Sequence, residues 1–145
     1  MSFRVSTKNC RFDMSNHIMK LNPSPLEMIR KGEKTIELRL YDEKRRKVLV
    51  GDTITFVNSE DENDTLIVKV ADLFVFDSFK TLYEKLPLLE CGYTKADIAS
   101  ASYRDMEAYY STEQQAKYGV VGIKVSLYKE IVTGSLKNGQ KDNAG

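Results

Sequence analysis

Histidine is almost missing from this chain: His17 is the only one in 145 residues. A histidine-rich metal centre is thereby excluded, and a Ser-His-Asp triad would have to run through that single residue. Cysteine is nearly as scarce. Cys10 and Cys91 are far apart, and two cysteines make neither a disulfide framework nor a zinc site, so both read as reduced thiols of a cytosolic protein. An excess of one charge is also lacking. The formal net charge is +1, which rules out a global basic field, so any nucleic-acid surface must be a local patch. No apolar run approaches the roughly 20 residues that cross a bilayer, which points away from a membrane. Met1 to Asn16 lacks the continuous apolar region of a signal peptide. No motif calls for a metal or an organic cofactor.

What the chain does contain is enough for one core: 41% of its residues are hydrophobic, in a length usual for one domain. Residues 1–16 show no periodicity and read as a loosely ordered arm. Residues 17–130 read as one domain, and 131–145, rich in Gly, Ser, Asn, Gln and Lys, as a flexible tail. Within the body, His17–Leu21 alternates weakly as a strand. Ser24 can cap a short helix with Pro25 at its first position, burying Leu26 and Ile29 and ending at Gly32. Thr53–Val57 is β-branched and aromatic, Asn58–Asp64 is a polar hairpin tip, and Thr65–Phe76 is a long strand. Asp77 or Ser78 can cap a helix that stops at Pro87. Thr94 can cap a second helix near Ala96. Ser111-Thr112-Glu113-Gln114 is a capping box for a third, ending at Gly119. Val120–Leu127 is the last strand. Strands clustered in the middle and closed by a distant final strand predict an α+β barrel, with helices packed at its ends.

The most informative segment is Lys34-Thr35-Ile36-Glu37-Leu38-Arg39. From Thr35 to Tyr41 the alternation puts Ile36, Leu38 and Leu40 on one face and Thr35, Glu37, Arg39 and Tyr41 on the other. Burying the first three, at roughly 1.5–3 kcal/mol each, fixes the register, because a one-residue slip would bury Glu37 and Arg39 instead. The charged face is then either a solvated face with an ordinary ion pair or a binding surface. From Arg30 to Lys47 there are eight Lys/Arg against four Asp/Glu, a local excess that attracts phosphate. The run Lys44-Arg45-Arg46-Lys47 within it either is a solvated loop or guides a nucleic-acid backbone. Strict alternation points Lys34 away from Glu37. The two can share a cleft only if the strand starts irregularly after Gly32 or Lys34 reaches over the barrel mouth.

Gly32-Glu33-Lys34-Thr35-Ile36-Glu37-Leu38-Arg39 resembles the GxKxxExR signature of ASCH domains. Val50–Phe56 and Tyr118–Ile123 resemble the same family in order, so the likeness spans about Ile18 to Leu127. It implies a PUA-like small β-barrel, a role in RNA binding or RNA modification, and a cytoplasmic, translation-linked setting. It also implies that Lys34, Glu37 and Arg39 line a cleft for RNA or a nucleotide. One enzymatic branch hydrolyses the acetyl amide of N4-acetylcytidine with a Lys, a Thr and a Glu. By motif the Lys is Lys34, the Thr position holds Glu37, and the Glu falls near Glu90. The hydroxyl nucleophile is therefore replaced by a carboxylate. Glu37 can act as a base on water beside Lys34, or as a binding group for a base or ribose. Thr35, on the same face by alternation, is a substitute nucleophile. Ribonuclease chemistry by the Lys34/Glu37 pair is a further alternative.

Aromatic residues supply the remaining candidates. Tyr103, Tyr109, Tyr110 and Tyr118 either pack helices onto the barrel or, for Tyr110 and Tyr118 especially, stack bases at about 1–3 kcal/mol each. His17 is either a polar strand-end residue or a contact to phosphate or base.

Overall fold

The computed structural model describes residues 14–128 and, as backbone, residues 2–4. Strand β1 is Ser2–Arg4, β2 Asn16–Leu21, β3 Ile36–Leu40, β4 Thr53–Asn58, β5 Asp61–Phe76 and β6 Val120–Leu127. The β-branched and aromatic run that favours extended backbone becomes β4, which pairs in parallel with β2 and antiparallel with β5. The sheet order is β2-β4-β5-β6-β3, with β1 added along the end of β5. The long β5 serves two partners on one edge, β4 along its first half and β1 at Phe74–Phe76. Its register with β6 slips between Val70 and Asp72, a bulge that bends the strand. The mixed sheet curls into a half-barrel, an α+β fold, and leaves a seam between the edge strands β2 and β3.

Helix α1 (Pro23–Arg30) leads from β2 toward β3, and α2 (Glu43–Arg46) follows β3. Helix α3 (Phe79–Lys85), capped by Ser78, and α4 (Thr112–Tyr118), opened by a reciprocal Ser111/Gln114 capping box, flank three 3₁₀ turns at Leu88–Cys91, Ile98–Ser100 and Tyr103–Ala108. One core fills the half-barrel around Met19, Ile54, Phe56 and Leu73, with Leu26 and Ile29 of α1 packed into it. A second core joins Ile36, Leu38 and Leu40 of β3 to Phe79 and Leu82 of α3. Gly122 makes that junction fit: a Cβ there would lie 2.7 Å from Leu86 Cδ1.

Four expectations change. Helix α1 begins at Pro23 with Asn22 before it, so Ser24 is inside the helix rather than its cap. No α-helix forms near Ala96. The Thr94 N–H donates to Asp97 Oδ1 and the Arg104 N–H to Ser102 Oγ, and these local side-chain bonds break the segment into 3₁₀ turns. Ser2–Arg4, read as part of a loose arm, are a short edge strand. The rest of that arm through Asp13, with Cys10, and the tail 131–145 lie outside the described residues. Finally, β3 is buried on both faces, with Glu37 at 3% and Arg39 at 8% exposure. Alternation correctly separated its two faces. The α1 and β2 side covers the charged one, so it is not a solvated surface. No helix among the described residues is long and apolar enough to cross a membrane.

Candidate nucleic-acid cleft

Gly32, at φ +80°, turns the chain out of α1. The N–H groups of Glu33 and Lys34 both donate to Met28 O, so Lys34 still belongs to the end of the helix and not to the pleat of β3. This irregular start removes the parity conflict. Lys34 Nζ reaches to 2.9 Å from Glu37 Oε1, and Arg39 Nε donates to Glu37 Oε2 at 2.6 Å. Arg39 then spans the open seam of the half-barrel and donates from Nη2 to Lys20 O on β2 at 2.7 Å. The stem of Lys34 is held by Gly92, whose missing Cβ would lie 3.3 Å from Lys34 Cδ and whose φ of +114° follows the Leu88–Cys91 turn.

Burial pushes the Glu37 carboxyl toward its neutral form, but the adjacent Lys34 and Arg39 charges outweigh it and hold its pKa below the ordinary 4.5. Burial likewise works against the Arg39 guanidinium, and Glu37 overcomes it, raising that pKa. Glu37 is thus a buried carboxylate clamped by two cations. Its Oε2 is satisfied by Arg39. Its Oε1 is ion-paired with Lys34 Nζ at 2.9 Å.

These three residues form the floor of a cleft of about 510 Å³. One wall comes from the end of β2 and from α1, including Met28. The other comes from the helical cap, with Tyr83, Tyr93, Tyr109 and Tyr110. The Tyr110 ring stacks on Phe79 at 5.9 Å, which fixes it at the rim, while Tyr109 is 66% exposed. Cys91 is a buried free thiol beside the floor, and burial pushes its pKa up to about 12, which keeps it protonated and unreactive.

The other residues singled out in the sequence go elsewhere. Thr35 does not face the cleft: its Oγ1 donates to Glu90 Oε1, which also takes Lys124 Nζ at 2.6 Å. Glu90 and Lys124 line a separate cavity of about 360 Å³ with Ile36 and Asp72. Glu90 therefore does not converge with Lys34 and Glu37. His17 Nε2 meets Asp52 Oδ2 at 2.8 Å, and Asp52, fully buried, also accepts from the Ser15 and Leu49 N–H groups. His17 is thus a brace for the turn before β4. The basic run makes local contacts while Lys44, Arg46 and Lys47 stay exposed. Lys44 Nζ donates to Ile18 O, Arg45 to Asp42, and Arg46 to Tyr118 O while lying over the Tyr41 ring. Tyr118 carries Lys117 over its ring, 5.0 Å from the centroid, and does not line the cleft. The residues that sequence reasoning missed are Tyr83, Tyr93 and Asp105. They come from three elements with no common motif, and only the packing of α3 against the Tyr103–Ala108 turn brings them together.

A family model for the ASCH domain matches residues 19–129. The chain is 34% identical to hypothetical protein PH0355, whose crystal structure superposes with a TM-score of 0.65 over 78% of this chain and 99% of that one. The solution structure of PF0455 from Pyrococcus furiosus is similar, with 32% identity, a TM-score of 0.61, and coverage of 79% of this chain and 99% of that one. The crystal structure of a ZmASCH mutant protein from Zymomonas mobilis shares the fold at 15% identity and a TM-score of 0.55, covering 79% of this chain and 69% of that one. No curated protein matches. With the signature on the cleft floor and the family match across the folded body, this chain belongs to the ASCH-domain family, a PUA-like fold whose members are generally RNA-associated.

Proposed function

We propose that the protein binds RNA or a nucleotide, with one nucleotide seated in the cleft over Lys34, Glu37 and Arg39. The observation that carries this reading is the buried Lys34–Glu37–Arg39 cluster on the floor of a cleft rimmed by tyrosines. A buried anionic acceptor next to a cationic donor matches the edge of a nucleobase, where an N–H lies next to a carbonyl or a ring nitrogen. The cleft volume lies within the ~300–1,000 Å³ usual for sites that enclose small ligands. Tyr110, fixed against Phe79, and the exposed Tyr109 offer ring faces for stacking, worth about 1–3 kcal/mol per base. Affinity in this reading comes from the cleft, with the exposed Lys44, Arg46 and Lys47 adding a local positive field for the backbone.

Titration with a short single-stranded RNA at low salt tests it. Binding is expected, weakened at least about tenfold in Lys34→Ala with Arg39→Ala, since hydrogen bonds to charged groups contribute about 1.5–3 kcal/mol each. No binding, or unchanged binding in that double variant, would sink the reading.

An amidohydrolase acting on N4-acetylcytidine would use the same Lys34–Glu37 contact. Two features weigh against it. A carboxylate whose pKa is depressed by two cations is a poor general base at neutral pH, and Glu90 is in another cavity. The same clamp argues against ribonuclease chemistry by this pair. Incubation with N4-acetylcytidine is expected to release no cytidine, and turnover lost in Glu37→Gln would reverse this ranking.

A further inference from the structure

The helical wall of the cleft carries a chain of hydroxyls with one direction. Tyr93 Oη donates to Asp105 Oδ2 at 2.5 Å, and Tyr83 Oη is 2.8 Å from Tyr93 Oη. A phenol has one proton. Since that of Tyr93 goes to Asp105, the bond between the two tyrosines must be donated by Tyr83. Burial, and for Tyr93 the hydrogen bond to Asp105, raise both phenol pKa values, so both protons stay in place. Both are committed to the chain, and what remains toward the cleft is lone pairs on the Tyr83 oxygen and on the Asp105 carboxylate. Asp105 is anchored in turn by its bond from the Ser102 N–H, part of a capping box that fixes its position.

All three residues line the same cleft as the Glu37 carboxylate. The cleft thus has acceptors on both sides, and a ligand with donors at both ends complements it. A base edge supplies an N–H on the Glu37 side. On the tyrosine side, the matching feature of a nucleotide is the vicinal hydroxyl pair of ribose. We propose that Tyr83, Tyr93 and Asp105 form an acceptor subsite for the ribose hydroxyls, so that the cleft selects ribo- over 2′-deoxyribonucleotides. This rests on the nucleotide reading of the cleft. The 2′-hydroxyl is the group by which a protein tells RNA from DNA at one position.

The test compares a short RNA single strand with the DNA strand of matched sequence, binding wild type, Tyr93→Phe, Tyr83→Phe and Asp105→Asn, with thermal melts to check folding. Wild type is expected to favour RNA by about tenfold, the equivalent of one good hydrogen bond. The ratio is expected to fall to about twofold in Tyr93→Phe and Asp105→Asn. Tyr83→Phe, which leaves the Tyr93–Asp105 bond intact, gives a second reading should Tyr93→Phe not fold. RNA and DNA bound equally by wild type, or a ratio retained in every folded variant, would overturn the subsite and leave the nucleotide reading standing. Binding to neither strand would remove both.

Discussion

Lys34–Glu37 and Lys124–Glu90 line different cavities beside β3, with closest atoms 2.9 and 2.6 Å apart. Their chemistry is the same and their settings differ. The side chains of the first pair are 10% and 5% exposed, those of the second 37% and 43%. Water screens the Lys124–Glu90 pair, so it adds about 0–1 kcal/mol despite its shorter contact. The Lys34–Glu37 pair, with Arg39, has lost its water. Each of its charges depends on the others, and its geometry cannot relax without exposing an uncompensated ion. Contact distance alone would rank the two pairs the wrong way round. Burial, not distance, separates the two pairs.

The largest expected difference comes from deleting each acid. Glu37→Ala leaves Lys34 and Arg39 buried together and should cost about 3–5 kcal/mol in urea unfolding. Glu90→Ala should cost no more than about 1 kcal/mol. Equal losses would break the comparison. Next in size is the brace of the buried pair. Gly92→Ala puts a Cβ 3.3 Å from Lys34 Cδ on a residue at φ +114°, and strain of this kind costs about 1–3 kcal/mol. It should weaken RNA binding as well, because Lys34 must move, whereas an equivalent change beside Lys124 should not.

Acid sharpens the contrast further. The folded-state pKa of Glu37 is depressed, so its contribution is fully present above the ordinary value of 4.5 and is lost as pH falls through the lower folded value. Glu90 is also depressed, by its bonds from Lys124 and Thr35, with the same sign. Because it is exposed, its share is smaller. Denaturation followed from neutral pH to pH ~3 should show stability falling below pH ~4.5, and most of that fall should disappear in Glu37→Gln. Salt gives the smallest effect. Raising ionic strength shortens the Debye length from about 10 Å at 0.1 M to about 3 Å at 1 M. The cost of Glu90→Ala should vanish across that range, while that of Glu37→Ala should persist. Loss of both with salt would mean that the buried pair is wet.

Where the sequence was legible, the cause was local. The Ser111/Gln114 box marks α4 because both partners lie within one turn, and the β-branched run marks β4 because extended backbone is what those side chains favour. The signature around Lys34 pointed to the cleft because a few neighbouring residues carry it. Where the sequence misled, a neighbour from elsewhere intervened. The charge excess from Arg30 to Lys47 suggested one basic patch, yet Arg30 pairs with Glu27 and Asp64, Lys34 and Arg39 with the buried Glu37, and Arg45 with Asp42. Glu90 was aligned with Lys34, but Thr35 and Lys124 hold it in the second cavity.

The sequence by itself determined the register of β3, the apolar face that its alternation buries, and the identity of the three charges on the cleft floor. Hydrophobic periodicity and glycine stereochemistry act over a few residues and need no partner. Only the tertiary structure decided that the charged face is buried and that Lys34 leaves the pleat to meet Glu37. It also decided that Tyr83, Tyr93 and Asp105 stand across the cleft from it. Desolvation and hydrogen-bond completion depend on which distant segments arrive to exclude water or bring a donor, and no local pattern of side chains carries that information.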